Sequence, residues 1–391
     1  MIEIIDKKQC CGCSACMSIC PKKCITMIED NEGFLYPVID KEQCINCGLC
    51  QKVCPILKQK SKQQEAIEVY ACVNKDEKIL KKSSSGGVFT SLAKVVIEQG
   101  GIVFGAMFDS DLNVIHGFVK DINDIKKLQG SKYVQSDMRN CFEEVKHFLK
   151  EGKTVLFSGT PCQVSGLKQF LQNDYENLIT CDFICTGVPS PKIYRAFRDY
   201  YQEKYKLKLQ NVQFRHKKNG WINFGMLYEF KKKKKYMCRY NSSYINAFYS
   251  HLTLRPACYD CKFKELKSNS DIKLGDHWLI KQVHPEFYNF NGVSFVLIET
   301  EKGSKLFNEV RSQFKVQLSS YQEVLDTNKA ITNVSKQPIY REKLFSIIED
   351  ADAKKIVRII NQTTKKGLKE RLHNLIFVVG SNVKSKIKRT K

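Results

Sequence analysis

Eighteen cysteines are spread over 391 residues, and ten of them precede residue 55. Cys10, Cys13, Cys16 and Cys20 follow the spacing C-x2-C-x2-C-x3-C and end in Pro21. Cys44, Cys47, Cys50 and Cys54 repeat it and end in Pro55. Thiolates three residues apart on a tight loop reach three corners of one iron–sulfur cube. The fourth cysteine of such a run points away and closes the cube of the other run. This spacing therefore predicts two [4Fe–4S] clusters, one held by Cys10, Cys13, Cys16 and Cys54 and the other by Cys44, Cys47, Cys50 and Cys20. Paired CxxC motifs also bind zinc tetrahedrally, but two complete runs with both prolines favour iron. Cys11 and Cys24 fall outside the spacing and read as small packed side chains.

Eight cysteines remain. Cys258 and Cys261 form a second metal-type pair, while Cys162 (SGTPC) and Cys185 (FICTGVPSP) each follow a strand-like run. Successive strand-to-helix turns of an α/β sheet emerge on the same edge, where such sheets bind ligands. Cys162 and Cys185 can thus be neighbours, and a loop carrying Cys258 and Cys261 would complete four ligands. Single cysteines at strand ends are more often buried small hydrophobes, and a lone CxxC also suits a redox disulfide or half a zinc site. Cys181 competes with Cys185, but its position points it into the sheet interior. Cys72, Cys141 and Cys238 read as structural.

The elements that position these residues follow from periodicity. The polar segment 58–67, KQKSKQQEAI, reads as a linker after a two-cluster domain spanning 1–57. Strand patterns at IEVYACV, GIVFGAMF, VIHGFV, TVLFSG and LITCDF then alternate with helical ones, and Pro191 sits at a helix start. Residues 208–240 read as antiparallel strands, with the lysine run 231–235 at a hairpin tip; DIKLGDHW and GVSFVLIET add two more strands. From Ser304 onward the pattern is mostly helical. The fold class predicted is α+β / α/β: a small ferredoxin-like domain, a mixed-sheet α/β core over 68–300, and a helical C-terminal extension over 301–391.

The formal charge is +23, part of which bound clusters offset, since each [4Fe–4S] core with four thiolates carries roughly −2. Residues 365–391 hold nine Lys or Arg against one Glu and read as a solvated helix end, with contact to an anionic membrane surface as the sharper alternative. Neither basic run has the interleaved aromatics of a base-stacking surface, which argues against nucleic acid. The start MIEIIDKKQC has no apolar leader and no run reaches the ~18 residues that span a bilayer. The expectation is a cytoplasmic protein, in a reducing compartment where clustered thiols hold metal.

The ordered motifs SSSGGVFTSLA, GSKYVQSD, SGTPCQVSGLKQFL, ICTGVPSP, RPACYDCKF and DIKLGDHW resemble the coenzyme F420 hydrogenase/dehydrogenase beta-subunit family over roughly residues 68–300. The resemblance implies a flavoprotein core binding FAD beside a third [4Fe–4S] cluster, with Cys162, Cys185, Cys258 and Cys261 as its ligands. It makes Ser85, Gly86, Gly87 and Lys132, with Gly159 and Thr160, candidates for the flavin pocket. A Gly-rich turn opening a helix agrees with this, because its amides suit a diphosphate. In archaeal relatives the two-electron acceptor is coenzyme F420; other relatives reduce chlorophyll precursors or occur beside surface-polysaccharide genes, so a glycan-linked acceptor is also considered. The family's Gly-Asp motif commonly continues as an aromatic, Trp and Gly, whereas here Gly275-Asp276 runs into His277-Trp278-Leu279. His277 and Asp276 are the weak catalytic candidates, His277 because its ordinary pKa lies near neutrality.

The leading expectation is an iron–sulfur flavoprotein oxidoreductase. It would take electrons from reduced ferredoxin through the N-terminal clusters and the third cluster to FAD and a two-electron acceptor. The alternative is an electron-transfer subunit with no substrate of its own, wiring a partner enzyme to the ferredoxin pool.

Overall fold

A computed structural model of the chain describes residues 1–58 and 68–364. The segment expected as a linker therefore lies almost wholly outside the described residues, and so does the basic run 365–391. Among the described residues no helix is long and apolar enough to cross a membrane.

The first 58 residues carry one antiparallel pair, β1 (Ile25–Glu29) and β2 (Leu35–Ile39), between two one-turn helices, Ala15–Ser18 and Leu49–Lys52. Ser14 and Gly48 cap these helices in the left-handed region, at φ 63° and 74°. This conformation turns the chain sharply after Cys13 and after Cys47. The third cysteine of each run, Cys16 or Cys50, lies within the helix that follows.

The rest is a mixed α/β fold. Its strands are β3 (Glu68–Asn74), β4 (Ile102–Phe108), β5 (Val114–Val119), β6 (Val155–Gly159) and β7 (Leu178–Phe183). A separate antiparallel sheet of β8 (Leu209–His216), β9 (Gly225–Phe230) and β10 (Lys233–Cys238) follows, and then β11 (Ile272–Asp276), β12 (Ser294–Ile298) and β13 (Phe314–Leu318). The large sheet has the order β13-β3-β12-β11-β7-β6-β4-β5. Strands β4, β6, β7 and β11 run parallel; β3 runs the same way, because β12 is antiparallel to both β11 and β3. The carboxyl ends of five strands therefore share one edge. The expectation of a mostly helical C-terminal part has one exception: β13 joins the sheet edge beside β3.

Strand periodicity builds a core on each face. On β6, Val155 and Phe157 face a cluster with Phe104, Phe142 and Leu167, while Leu156 faces the opposite cluster with Leu92, Val296 and Phe307. Helices Cys141–Lys150 and Pro161–Leu171 cover the first face; Val88–Glu98 and Glu301–Val310 cover the second. Cys11, Cys13, Ala15 and Val53 join the first of these clusters, so the N-terminal part packs continuously onto the sheet domain.

Polar contacts fix this docking. The Arg341 guanidinium, 3% exposed at the side chain, binds both carboxylate oxygens of Glu32, with Nη1 to Oε1 at 3.0 Å. Lys192 Nζ donates to Asn31 O at 3.0 Å and Ser190 Oγ to Glu32 O at 2.5 Å. At Gly166 a Cβ would stand 2.9 Å from Cys13 Sγ, so only glycine lets the helix approach that loop so closely.

Candidate metal and cofactor sites

Thiols of the two N-terminal runs lie near one another, and among the described residues no group of three or more His, Cys, Asp or Glu side chains is arranged to hold a single metal ion. Cys16 lies within electrostatic reach of Cys10 and Cys54, and Cys13 of Cys16 and Cys54. Burial pushes the Cys16 thiol up to about 12. Cys20, Cys44, Cys47 and Cys50 line a separate cavity. Cys24, read from sequence as packing, lines the same cavity, its Sγ 3.4 Å from Cys20 Sγ.

Cys162, Cys185, Cys258 and Cys261 line a third cavity at the edge where β6 and β7 end. Each thiol feels others of the set: Cys185 faces Cys258, Cys162 and Cys261. Burial, reinforced by this mutual repulsion, drives Cys185 well above the usual thiol range and Cys258 up to about 12. Four free thiolates together would be costly here, whereas an iron–sulfur core would offset about half of their charge, so the donor set fits a cluster. Local structure aims each ligand. Thr160 caps helix Pro161–Leu171 in a capping box with Gln163, and its Oγ1 lies 3.1 Å from Cys162 Sγ. Val188 N donates to Cys258 Sγ at 3.4 Å. Cys181, the rival of Cys185, is 1% exposed in the sheet's apolar cluster, which excludes it from the cavity.

Three residues that sequence reasoning missed sit between the sites. Cys11 lines the third cavity and packs in the same apolar cluster as Cys13 of the first set and Cys162 of the third. Gln135 Nε2 donates to Cys11 O at 2.9 Å. Arg255 donates from Nε to Cys10 O at 2.7 Å, from Nη2 to Leu35 O at 2.9 Å and from Nη1 to Gln135 Oε1 at 2.9 Å. The available signals were weak. Cys11 breaks the regular spacing beside Cys10, and Arg255 precedes the Pro-Ala-Cys turn.

The residues expected to hold flavin divide between two parts of the same edge. Gly159 and Thr160 belong to the Cys162 turn. Ser85, Gly86 and Gly87 precede helix Val88–Glu98, and Ser84 Oγ accepts from Ser131 N at 2.7 Å, which ties this loop to the segment of Lys132. Gly87, at φ +89°, forms the left-handed cap. The Gly86 amide is not free for a diphosphate, since it donates to Ser294 Oγ at 2.8 Å; a Cβ there would meet Cys72 O at 2.2 Å. Lys132 Nζ donates to Lys127 O and Gln129 O at 2.9 and 3.1 Å, and burial pulls its ammonium down to about 7. One of its three donors remains for an anion. Lys217 Nζ donates to Leu80 O, Ser85 O and Asn291 O, and so holds the loop. His116 connects the two parts. Its Nε2 donates to Ser158 O at 2.8 Å, its Nδ1 accepts from Ser136 Oγ at 3.0 Å, and the Lys132 charge adds to burial in pulling it down to about 4.

The two catalytic candidates sit in a well-ordered corner of the core. Asp276 accepts on both oxygens, from Arg215 Nη1 at 2.6 Å and Trp221 Nε1 at 2.9 Å, which fixes its carboxylate in place. Trp221 in turn stacks on Trp278, centroids 4.9 Å apart at 4°, so Gly275-Asp276-His277-Trp278 organises an aromatic wall. His277 is 0% exposed, and burial holds its imidazole pKa down.

Fold and cysteine sets define an iron–sulfur protein, and residues 9–56 match the model of the 4Fe-4S dicluster domain. The chain belongs to the coenzyme F420 hydrogenase/dehydrogenase beta-subunit family: residues 69–142 match the model of its N-terminal part and residues 152–324 that of its C-terminal part. A solved structure of the F420-reducing [NiFe] hydrogenase complex from Methanosarcina barkeri, a xenon derivative, contains a chain 16% identical. That similarity has a TM-score of 0.45 and covers 78% of this chain and 94% of the other. No curated protein matches.

Proposed function

We propose that this protein is an iron–sulfur flavoprotein oxidoreductase that joins a one-electron donor of the ferredoxin class to a two-electron organic acceptor. In this reading residues 1–57 hold two clusters, the core beginning at residue 68 holds a third, and the protein works in a reducing cytoplasm. The observation that carries it is the placing of Cys11, which packs in one apolar cluster with Cys13 of the first set and Cys162 of the third and lines the third cavity. Packed side chains lie between the two sites there, and a short path through them favours electron transfer. When bound, clusters carry single electrons and a flavin collects them as pairs for an organic acceptor.

The chain's own residues position and insulate. Gly12 and Gly166 allow the closest approach of loop and core, Thr160 and the Val188 amide orient cavity thiols, and the apolar cluster around Phe142 excludes water behind them. Along the edge, β7 is three strands from β3, roughly 14 Å at about 4.8 Å per strand. Gly87 and Lys132 would hold the phosphates of a flavin dinucleotide, which would supply the two-electron chemistry. Coenzyme F420 and a glycan-linked molecule are both compatible acceptors. The alternative, a subunit wiring a partner enzyme to the donor pool, draws support from the family's membership of multi-subunit enzymes. The test is oxygen-free mixing of reduced ferredoxin with the flavin-loaded protein. Flavin reduction in the wild type and its loss in Cys258→Ala support the proposal; no flavin on denaturation, or undiminished transfer in the variant, overturns it.

A further inference from the structure

Arg255 is 1% exposed, and among the described residues it forms no ion pair with a carboxylate. Its hydrogen-bond acceptors are Cys10 O, Leu35 O and Gln135 Oε1, all neutral, and Nη2 also lies 3.5 Å from Cys10 Sγ. The guanidinium stacks on Tyr36 at 4.2 Å from the ring centroid, and the residue lines the third cysteine cavity. A buried cation without an anion is costly, so the compensating charge must come from elsewhere. The nearest source is the ligand set of Cys10, Cys13, Cys16 and Cys54, which with its core carries net negative charge. Gly12 adds to the case. A Cβ there would stand 2.7 Å from both Arg255 Nη1 and Gln135 Nε2, so the loop is shaped to receive this side chain.

We infer that Arg255 is a positioning residue that raises the reduction potential of the cluster held by Cys10, Cys13, Cys16 and Cys54 above that of the cluster held by Cys20, Cys44, Cys47 and Cys50. This rests on the proposal that the N-terminal cysteines hold iron–sulfur clusters. Reduction adds one negative charge to a cluster, and a fixed cation beside one of the two favours that charge there. One electron leaves the outer cluster, which is oxidised, and the same electron reduces the inner one. A ferredoxin-class donor supplies it. Directionality toward the third cavity is thereby built into the domain interface, since the core contributes the charge that sets the order.

The test is an EPR-monitored redox titration of the whole, anaerobically loaded protein, with the inner signal identified as the one retained in both Cys47→Ser and Cys258→Ala. Arg255→Gln is expected to shift the electron distribution between the two clusters at least tenfold toward the outer one, 59 mV for a one-electron couple. The outer potential stays put, and Arg255→Lys restores most of the difference. Gln135→Glu keeps Arg255 but sets a carboxylate against Nη1, and it shifts the distribution the same way, so the test stands if Arg255→Gln does not fold. Gln135→Leu, which alters packing without charge, leaves the distribution unchanged. An unchanged inner potential in a folded Arg255→Gln or in Gln135→Glu overturns the inference, and so does an equal shift in Gln135→Leu. About eight irons in the wild type would remove the third cluster but leave this comparison intact; a protein loaded with zinc would remove both.

Discussion

Gly166 offers a test in which two physical effects have opposite signs. It sits inside helix Pro161–Leu171, where glycine is about 1 kcal/mol less favourable than alanine. On helix propensity alone, Gly166→Ala stabilises the protein. Yet a Cβ at this position stands 2.9 Å from Cys13 Cβ and Sγ and 3.5 Å from Phe142 Cε2. Such overpacking costs ~1–3 kcal/mol, which leaves Gly166→Ala neutral or destabilised by up to about 2 kcal/mol. Valine recovers less propensity and adds two methyl groups against the Cys13 loop, so Gly166→Val loses roughly 2–3 kcal/mol or more. Anaerobic unfolding followed both by visible cluster absorbance and by far-UV circular dichroism separates local from global effects. The cluster of the Cys13 set should be lost at lower denaturant than the helices in both variants. A Gly166→Val protein as stable as wild type, with its clusters unaffected, would refute the close docking of the cysteine loop on this helix.

Other residues give further tests. Glu32→Ala leaves the buried Arg341 without its ion pair and should cost ~3 kcal/mol in denaturant unfolding; a loss below about 1 kcal/mol would contradict the burial of that pair. His116, 4% exposed with its imidazole held neutral down to about 4, contributes stability that is full above an unfolded pKa near 6.5 and is lost as pH falls toward 4. The loss amounts to about 3 kcal/mol, so the stability gap between wild type and His116→Gln should narrow over that pH range, and a pH-independent gap would sink the assignment. Cys258→Ala should lower iron from about twelve to about eight per chain without disturbing the N-terminal pair, as EPR and iron analysis would reveal.

The cysteine runs were legible because iron–sulfur ligation fixes spacing locally, and the strand-turn-helix units of β6 and β7 because alternation and turn chemistry are local too. Cys185 was separable from Cys181 for the same reason: one ends the strand and the other alternates into its core. Other features were not legible. β13 is short and lies at an edge, and its polar FKVQL pattern joins the sheet only because β3 offers a free side. The Arg255 contacts span 245 residues of sequence, and no local pattern announces a side chain whose partners are backbone carbonyls of another unit. The partners of Asp276 could not be read locally, since Arg215 and Trp221 lie on and beside a different sheet. The Gly86 amide looked free for phosphate until β12 supplied the Ser294 hydroxyl.

Iron and acid-labile sulfide per chain in protein purified without oxygen test the central claim most directly. Three thiol sets that each hold a cube give about twelve of each, together with the EPR of three reduced clusters. A preparation that is colourless, or that carries zinc in place of iron, would contradict the account at its base.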